Sequence, residues 1–310
     1  LEVTIKPFST YQFLEGFPMT DRDKVEVGSK YWNEGKFNNF VRPFLPEDCS
    51  EQTFVDMGCN AGVFLKLAED MGFSNVFGVD SDREAIKRGM EWRDTHGGKY
   101  QFIEERMENV IDKLPLADYT VLANAHYYFT INDWLYYMDK MQFKTRYCII
   151  VTAEKHHTNR CWTSPGLEEI REYFRLWKEV GFVDVFPEDG SPSYRKLWAF
   201  FFKSPYLDRV SVDLLDSGNH VQDGFYREID EGKDYKETRY YRIMKPYRKN
   251  WSEDKLNRWF EERIKIYDSV KKNGQTQPII VNSKNLILDG NHRYSMLKSL
   301  GYKTIFVRYT

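Results

Sequence analysis

Between residues 53 and 203, short apolar runs alternate with amphipathic ones. Residues 53–57, 76–79, 100–103, 119–123 and 147–152 are brief, apolar or small, and bounded by turn residues, which predicts buried parallel strands. Between them, residues 62–71, 83–96 and 132–141 place apolar side chains three and four apart, which predicts helices. Ser81 or Asp82 is the expected cap of the second helix, and Gly97-Gly98 its stop. A helix over 167–180, closed by Gly181, leads to 183–186 and 196–202, a hairpin-like pair joined by a Pro- and Gly-rich turn. Upstream, Tyr31, Trp32, Phe37, Phe40, Val41 and Phe44 recur at helical spacing over 29–44, whereas 1–25 shows no period and reads as a lid or extension. The alternation as a whole predicts an α/β fold, a doubly wound sheet with helices on both faces.

The pattern changes after Ser204-Pro205, which divides the chain into an expected first domain, 1–203, and a second, 204–310. Residues 213–236, rich in Asp and Gly, read as loops. Ser252 caps a helix running to about Lys272, with Glu253 and Asp254 in its first turn as the helix dipole favours. Strands over 277–281 and 286–288, a turn over 289–294 leading into a helix to Leu300, and a strand over 304–308 complete a small α+β domain.

Composition is that of an ordinary folded chain: 310 residues, 41% hydrophobic and 30% charged. No apolar run is long enough to span a membrane, and no signal peptide is visible. The four cysteines, Cys49, Cys59, Cys148 and Cys161, form no C-x-x-C pair, so no zinc site or disulfide framework is expected and a reducing, cytoplasmic setting fits. Net charge is −2, but residues 203–310 carry 21 Lys and Arg against 15 Asp and Glu, and the remainder 24 against 32. Such asymmetry suits an anionic partner for the basic half, or simply a solvated surface.

The chemistry concentrates where the first strand ends: Phe54-Val55-Asp56-Met57-Gly58-Cys59-Asn60-Ala61-Gly62. A strand, a glycine turn and a helix start together form a ligand-binding device of doubly wound folds. The next strand closes on a second acid, Asp80, followed by Ser81. A carboxylate at that place can accept two hydroxyl donors of a vicinal diol. These two motifs resemble those of the class I S-adenosylmethionine (SAM)-dependent methyltransferases, whose Rossmann-like sheet also ends on an antiparallel strand. The resemblance covers about residues 29–203. It implies that Asp56, Gly58, Cys59, Asn60, Gly62, Asp80, Ser81, Arg106 and Met107 surround SAM. Plain turn glycines in another nucleotide-binding or α/β domain are the alternative.

Ligands of such sheets sit at the carboxyl ends of the strands. By that rule Asn124 and His126, after the fourth strand, and Glu154, after the fifth, face the ligand pocket; the resemblance puts the first two at the motif IV position near the transferred methyl, where Asn124 could hold the substrate or the methionine amine. His126 could act as general base, since its ordinary pKa lies near working pH, or serve only in binding or packing. The Asn124–Phe129 stretch lacks the N/D-P-P-aromatic run of DNA amino-methyltransferases and the Pro-Cys of cytosine-C5 enzymes, so those chemistries are disfavoured. His156-His157 offers no metal-ligand spacing, and no metal is expected.

In the second domain, Arg239–Lys249 interleaves basic residues with rings, a composition that can bind single-stranded nucleic acid or merely pack. The run Asp289-Gly290-Asn291-His292-Arg293, at a helix start after a P-I-x-V strand, resembles the D-G-x-H-R turn of the ParB/sulfiredoxin-like superfamily, over about 251–310. That implies a phosphate site and ATP or another nucleotide as ligand. An Asn stands where sulfiredoxins carry their reactive Cys, which argues against sulfinic-acid reduction, and the alternative is a structural turn held by an Asp289–Arg293 pair. Three readings follow: a methyltransferase whose second domain delivers a nucleotide or nucleic acid; a bifunctional enzyme that also uses ATP, separable by phosphoryl-transfer assay; and a non-catalytic nucleic-acid-binding scaffold, separable by failure to bind SAM. The acceptor (small molecule, nucleotide or nucleic acid) and the oligomeric state stay open.

Overall fold

The structure is a computed structural model describing residues 14, 34–125, 131–153, 167–185, 197–217 and 222–310. The chain divides into two compact units, 1–205 and 206–310.

The first unit is built on strands β1 (Thr53–Met57), β2 (Asn75–Asp80), β3 (Gln101–Glu104), β4 (Ala117–Ala123), β5 (Thr145–Ala153), β6 (Lys178–Val185) and β7 (Leu197–Lys203). They form one sheet in the order β3-β2-β1-β4-β5-β7-β6. The pairs β1/β2, β1/β4, β2/β3 and β4/β5 are parallel, and β7 runs antiparallel to both β5 and β6. Helices α1 (Val63–Asp70), α2 (Arg83–His96), α3 (Met107–Val110), α4 (Ile131–Met141) and α5 (Leu167–Tyr173) connect the strands.

Strand alternation produces two cores. Val55 and Met57 of β1 face one cluster with Val79, Leu122, Ile150, Tyr137 and Phe202. Phe54 faces the other, with Phe37, Phe64, Val76, Val121 and Ile149. Every residue of β1 is therefore buried, as a central parallel strand requires. Asp82 caps α2 by accepting from the amides of Glu84 and Ala85, and Gly97 ends it in the left-handed conformation.

Two expectations for this unit fail in part. The helix from Leu167 ends at Tyr173, not at Val180. Its apparent continuation was carried by Leu176 and Val180, which are exposed, while Phe174 and Trp177 turn into the core and the chain enters β6 at Lys178. Gly181 does not stop a helix. It lies at a register shift in β6, where a Cβ would come 2.8 Å from the Phe44 ring. Ahead of β1, the expected helix over 29–44 is helical from Glu34, widens to a π-helix at Phe37–Val41 and tightens to a 3-10 turn at Arg42–Phe44; residues 29–33 lie outside the described residues.

The second unit holds β8 (Leu207–Ser211), β9 (Ile279–Val281), β10 (Ile287–Asp289) and β11 (Thr304–Tyr309) in the order β10-β9-β11-β8. Its helices are α6 (Phe225–Asp230), α7 (Arg239–Tyr247), α8 (Glu253–Asn273) and α9 (Asn291–Ser299). The Asp- and Gly-rich stretch over 213–236 is not all loop: Phe225 and Tyr226 are buried and fold α6 around themselves, the Asp and Gly residues falling at its ends. Ser252 caps α8 by accepting from the Lys255 amide.

Candidate functional site

The glycine turn after β1 is held by hydrogen bonds from both sides. The amides of Gly58 and Cys59 donate to the Val79 carbonyl, at 2.7 and 3.0 Å, and the Gly62 amide to Cys59 at 2.9 Å. Gly58 and Gly62 have φ of 80° and 87°. At Gly58 a Cβ would also lie 2.5 Å from that of Ala125, so the glycine is required by shape as well as by backbone. This close approach brings the Asn124-Ala125 turn at the end of β4 against the end of β1. Asn124 itself is left-handed, φ 57°, its amide bonded to the Val151 carbonyl at 2.9 Å. Met107 approaches the same glycine and is buried.

Asp80, at the end of β2, reaches back over the turn. One carboxylate oxygen accepts from the Asn60 amide at 2.7 Å and the other from the Asp82 amide at 2.9 Å. A carboxylate offers about four acceptor positions, so the Asn60 and Asp82 amides, with the Ser81 amide beside them, leave acceptor capacity for a ligand. Burial raises the Asp80 pKa, against the pull of those amide donors. The Oδ1 of Asn60 and the Oδ2 of Asp82 are buried with no hydrogen-bond partner among the described residues. Buried acceptors need donors. A ligand carrying an ammonium and ribose hydroxyls supplies them, so the residues around the turn fit SAM.

Other expected residues are placed differently. The Cys59 side chain packs towards Gly78, whose Cβ would meet its sulfur at 2.6 Å, and burial pushes its thiol well above the usual range. Ser81 is exposed. Arg106 points to solvent and pairs with Glu108. His126 and Glu154 lie outside the described residues. Sequence reasoning missed Lys36. It is buried at 8% exposure ahead of the π-helix, and burial lowers its pKa to about 8 against the opposing charge of Asp56. The signal was a lone Lys within an aromatic helical pattern, which gives no hint of its depth.

In the second unit Gly290 starts α9 with φ 96°. Arg293 donates to Asp289 at 2.9 Å and to Gln277 at 2.6 Å, so the structural pairing stands. His292 is ringed by the Tyr226 hydroxyl (3.3 Å), the Tyr240 hydroxyl (3.4 Å) and Arg263 (3.2 Å). Arg263, also absent from the sequence reading, sits over the Trp259 ring, its guanidinium carbon 3.2 Å from the ring centroid. Burial, then the Arg263 charge, lowers the His292 pKa to about 3 and keeps the ring neutral. A cavity of about 440 Å³ opens here, lined among others by Arg263, His292, Arg293, Ile266 and Met296. Asn291 has a buried Oδ1 without a hydrogen-bond partner among the described residues. Within Arg239–Lys249, Tyr240 and Tyr241 are core residues and only Tyr247 is well exposed, so the rings are not a continuous stacking platform. Among the described residues no His, Cys, Asp and Glu group gathers as a metal-ligand set, and no helix is long and apolar enough to cross a membrane.

The seven-strand order with one antiparallel strand makes the first unit a Rossmann-like α/β fold with a mixed sheet. No family model matches the chain. It is similar to the type II methyltransferase M.VspI of Vibrio sp. (strain 343), 33% identical over 104 residues, covering 26% of this chain; the chain spans about a quarter of that relative's length, 25%. Among solved structures it is similar to the N-methyltransferase NodS of Bradyrhizobium japonicum, 17% identical, covering 58% of this chain and 99% of that one, TM-score 0.48. It is also similar to the PH0226 protein of Pyrococcus horikoshii, 13% identical, covering 60% and 100%, TM-score 0.47.

Proposed function

We propose that the first unit is a SAM-dependent methyltransferase. The observation that carries this is the junction of β1, β2 and β4: a glycine turn shaped by Ala125, with Asp80 folded over it and two buried acceptors left open. Asp56, Gly58, Asn60, Gly62 and Asp80 hold the cofactor, with Met107 beside it. SAM supplies a methyl group on a positively charged sulfur, ready for in-line attack by an acceptor. The protein's part is orientation: Asp80 fixes the ribose, the turn fixes the methionine end, and the Asn124-Ala125 turn forms the near wall of the acceptor side. His126 and Glu154 belong to the same proposal as acceptor-side residues.

Calorimetric titration of SAM into the wild-type protein and Asp80→Ala tests this. Wild-type binding and at least about a tenfold loss in the variant are expected, because a charge-assisted hydrogen-bond acceptor is removed. A wild type that does not bind SAM overturns the reading.

A second reading concerns the second unit. The cavity beside Arg263, His292 and Arg293 supports an anion-binding module of ParB/sulfiredoxin-like kind that receives a phosphate, whether of ATP, another nucleotide or a nucleic acid. The internal Asp289–Arg293 pair must then open or share its donors. Titration of ATP against wild type and Arg263→Ala tests it, and no binding removes it.

A further inference from the structure

The corner between α7 and α8 carries positive charge that its neighbours leave uncancelled. From Arg239 to Arg258 seven Lys and Arg stand against two acids, in a chain whose net charge is −2. One of those acids, Glu253, lies 3.8 Å from Lys245. The corner is built locally. Helix α7 runs out at Tyr247, directly after Pro246, which has no amide to donate. The Arg248 amide then donates to the Met244 carbonyl and the Trp251 amide to the Arg248 carbonyl, both at 2.8 Å, before Ser252 starts α8. This turn brings Tyr247, Arg248, Trp251 and Lys255 together.

The cations at this corner are held by rings. The Arg248 guanidinium carbon lies 4.5 Å from the Trp251 centroid and 5.5 Å from that of Tyr247, and the Lys255 ammonium 4.8 Å from that of Trp251. Neither cation has an ion pair among the described residues. By contrast Lys233, Lys271, Arg293 and Lys298 of the same unit meet carboxylates at 2.8–2.9 Å. A carboxylate fixes a cation and neutralises it. A ring fixes it and leaves its charge available to a ligand. The Nε of Arg248 is buried with no hydrogen-bond partner among the described residues, so a donor is left over. Trp251 packs against the core and anchors the group, while the Tyr247 ring is 75% exposed.

We infer that this corner binds single-stranded nucleic acid, with Arg248 and Lys255 on its phosphates and Tyr247 stacked on an unpaired base. Phosphates supply the missing acceptors, and the exposed ring fits a base face that a duplex keeps covered. The inference goes beyond both readings above, since it needs neither SAM nor the cavity beside His292. It also moves the contact from the run Arg239–Lys249, whose Tyr240 and Tyr241 are buried, to the corner at the end of that run.

The test is fluorescence anisotropy of a labelled oligothymidine of about 12 nucleotides, titrated with the full chain at several salt concentrations. Wild type should bind saturably, with affinity falling as salt rises. Arg248→Gln and Lys255→Gln should each bind at least about threefold more weakly and lower the salt slope by about 0.7, the share of one phosphate contact on a single strand. Tyr247→Ala should lose at least about fivefold with the slope unchanged, because stacking releases no counterions. Lys271→Gln removes the same charge about 24 Å further along α8, from a lysine already paired with Asp230, and should change affinity less than about twofold. Thermal melts check folding, and Tyr247→Ala, at an exposed ring, decides should Arg248→Gln not fold. A wild type that does not bind saturably overturns the inference, as does a Tyr247→Ala that binds like wild type. Equal losses in Lys271→Gln and Lys255→Gln overturn it in favour of diffuse charge. Displacement by polyglutamate of equal charge, or by a duplex of equal length, as readily as by unlabelled oligothymidine also overturns it. None of these outcomes touches SAM binding, which the Asp80→Ala titration judges separately.

Discussion

At the scale of single residues, both units place ionisable side chains where burial decides their charge. Asp80 and Asp56 are strand-end carboxylates whose pKa burial raises. His292 shows the opposite sign for the same cause: burial disfavours the imidazolium, and its folded pKa of about 3 lies below the ordinary 6.5. Below pH 6.5 the unfolded chain therefore binds a proton that the folded chain refuses. Stability from this residue is fully present above pH 6.5 and is lost as pH falls towards 3. Melts of the full chain from pH 7.5 to 4.5 should show a shallower fall for His292→Gln than for wild type, and parallel curves would refute it. The motif His292-Arg293 was legible in the sequence. That its ring sits among Tyr226, Tyr240 and Arg263 was not, because those partners come from helices 29 to 66 residues away.

At the scale of elements, periodicity located most of the strands and helices and failed where a local pattern had two solutions. The stretch 167–180 has helical spacing, yet α5 stops at Tyr173 because Phe174 and Trp177 gain more by entering the core than by continuing a surface helix. The Arg171 guanidinium then bridges to Glu179 across the turn, at 3.0 Å. Gly181, which looked like a helix stop, makes room in β6 for Phe44, itself stacked on Phe201 at 5.0 Å. Gly181→Val must push that ring aside. A loss of about 1–3 kcal/mol is expected from denaturant melts, as for other overpacked sites. A change below about 0.5 kcal/mol would mean that Phe44 is free to move.

At the scale of the molecule, the two compact units have separate cores and separate candidate sites. A ligand that binds only the folded first unit stabilises it by mass action, about 2.7 kcal/mol at a hundredfold excess over Kd. Hydrogen exchange with saturating SAM should thus slow amides of the turn at 58–62 and the ends of β2 and β4, with residues 206–310 unchanged. Equal protection in both units would contradict the placement of the cofactor site. The sequence by itself determined the βαβ alternation, the two acids and the glycines of the turn, since strand and helix periods and backbone freedom are local properties written residue by residue. It did not determine which face of β1 Asp56 would share with Phe54 and Phe37, that Lys36 would be buried, that Ala125 would press on Gly58, or that Arg263 would close on His292. Those were decided by tertiary packing, because depth and charge environment are fixed only when elements distant in the chain close over one another.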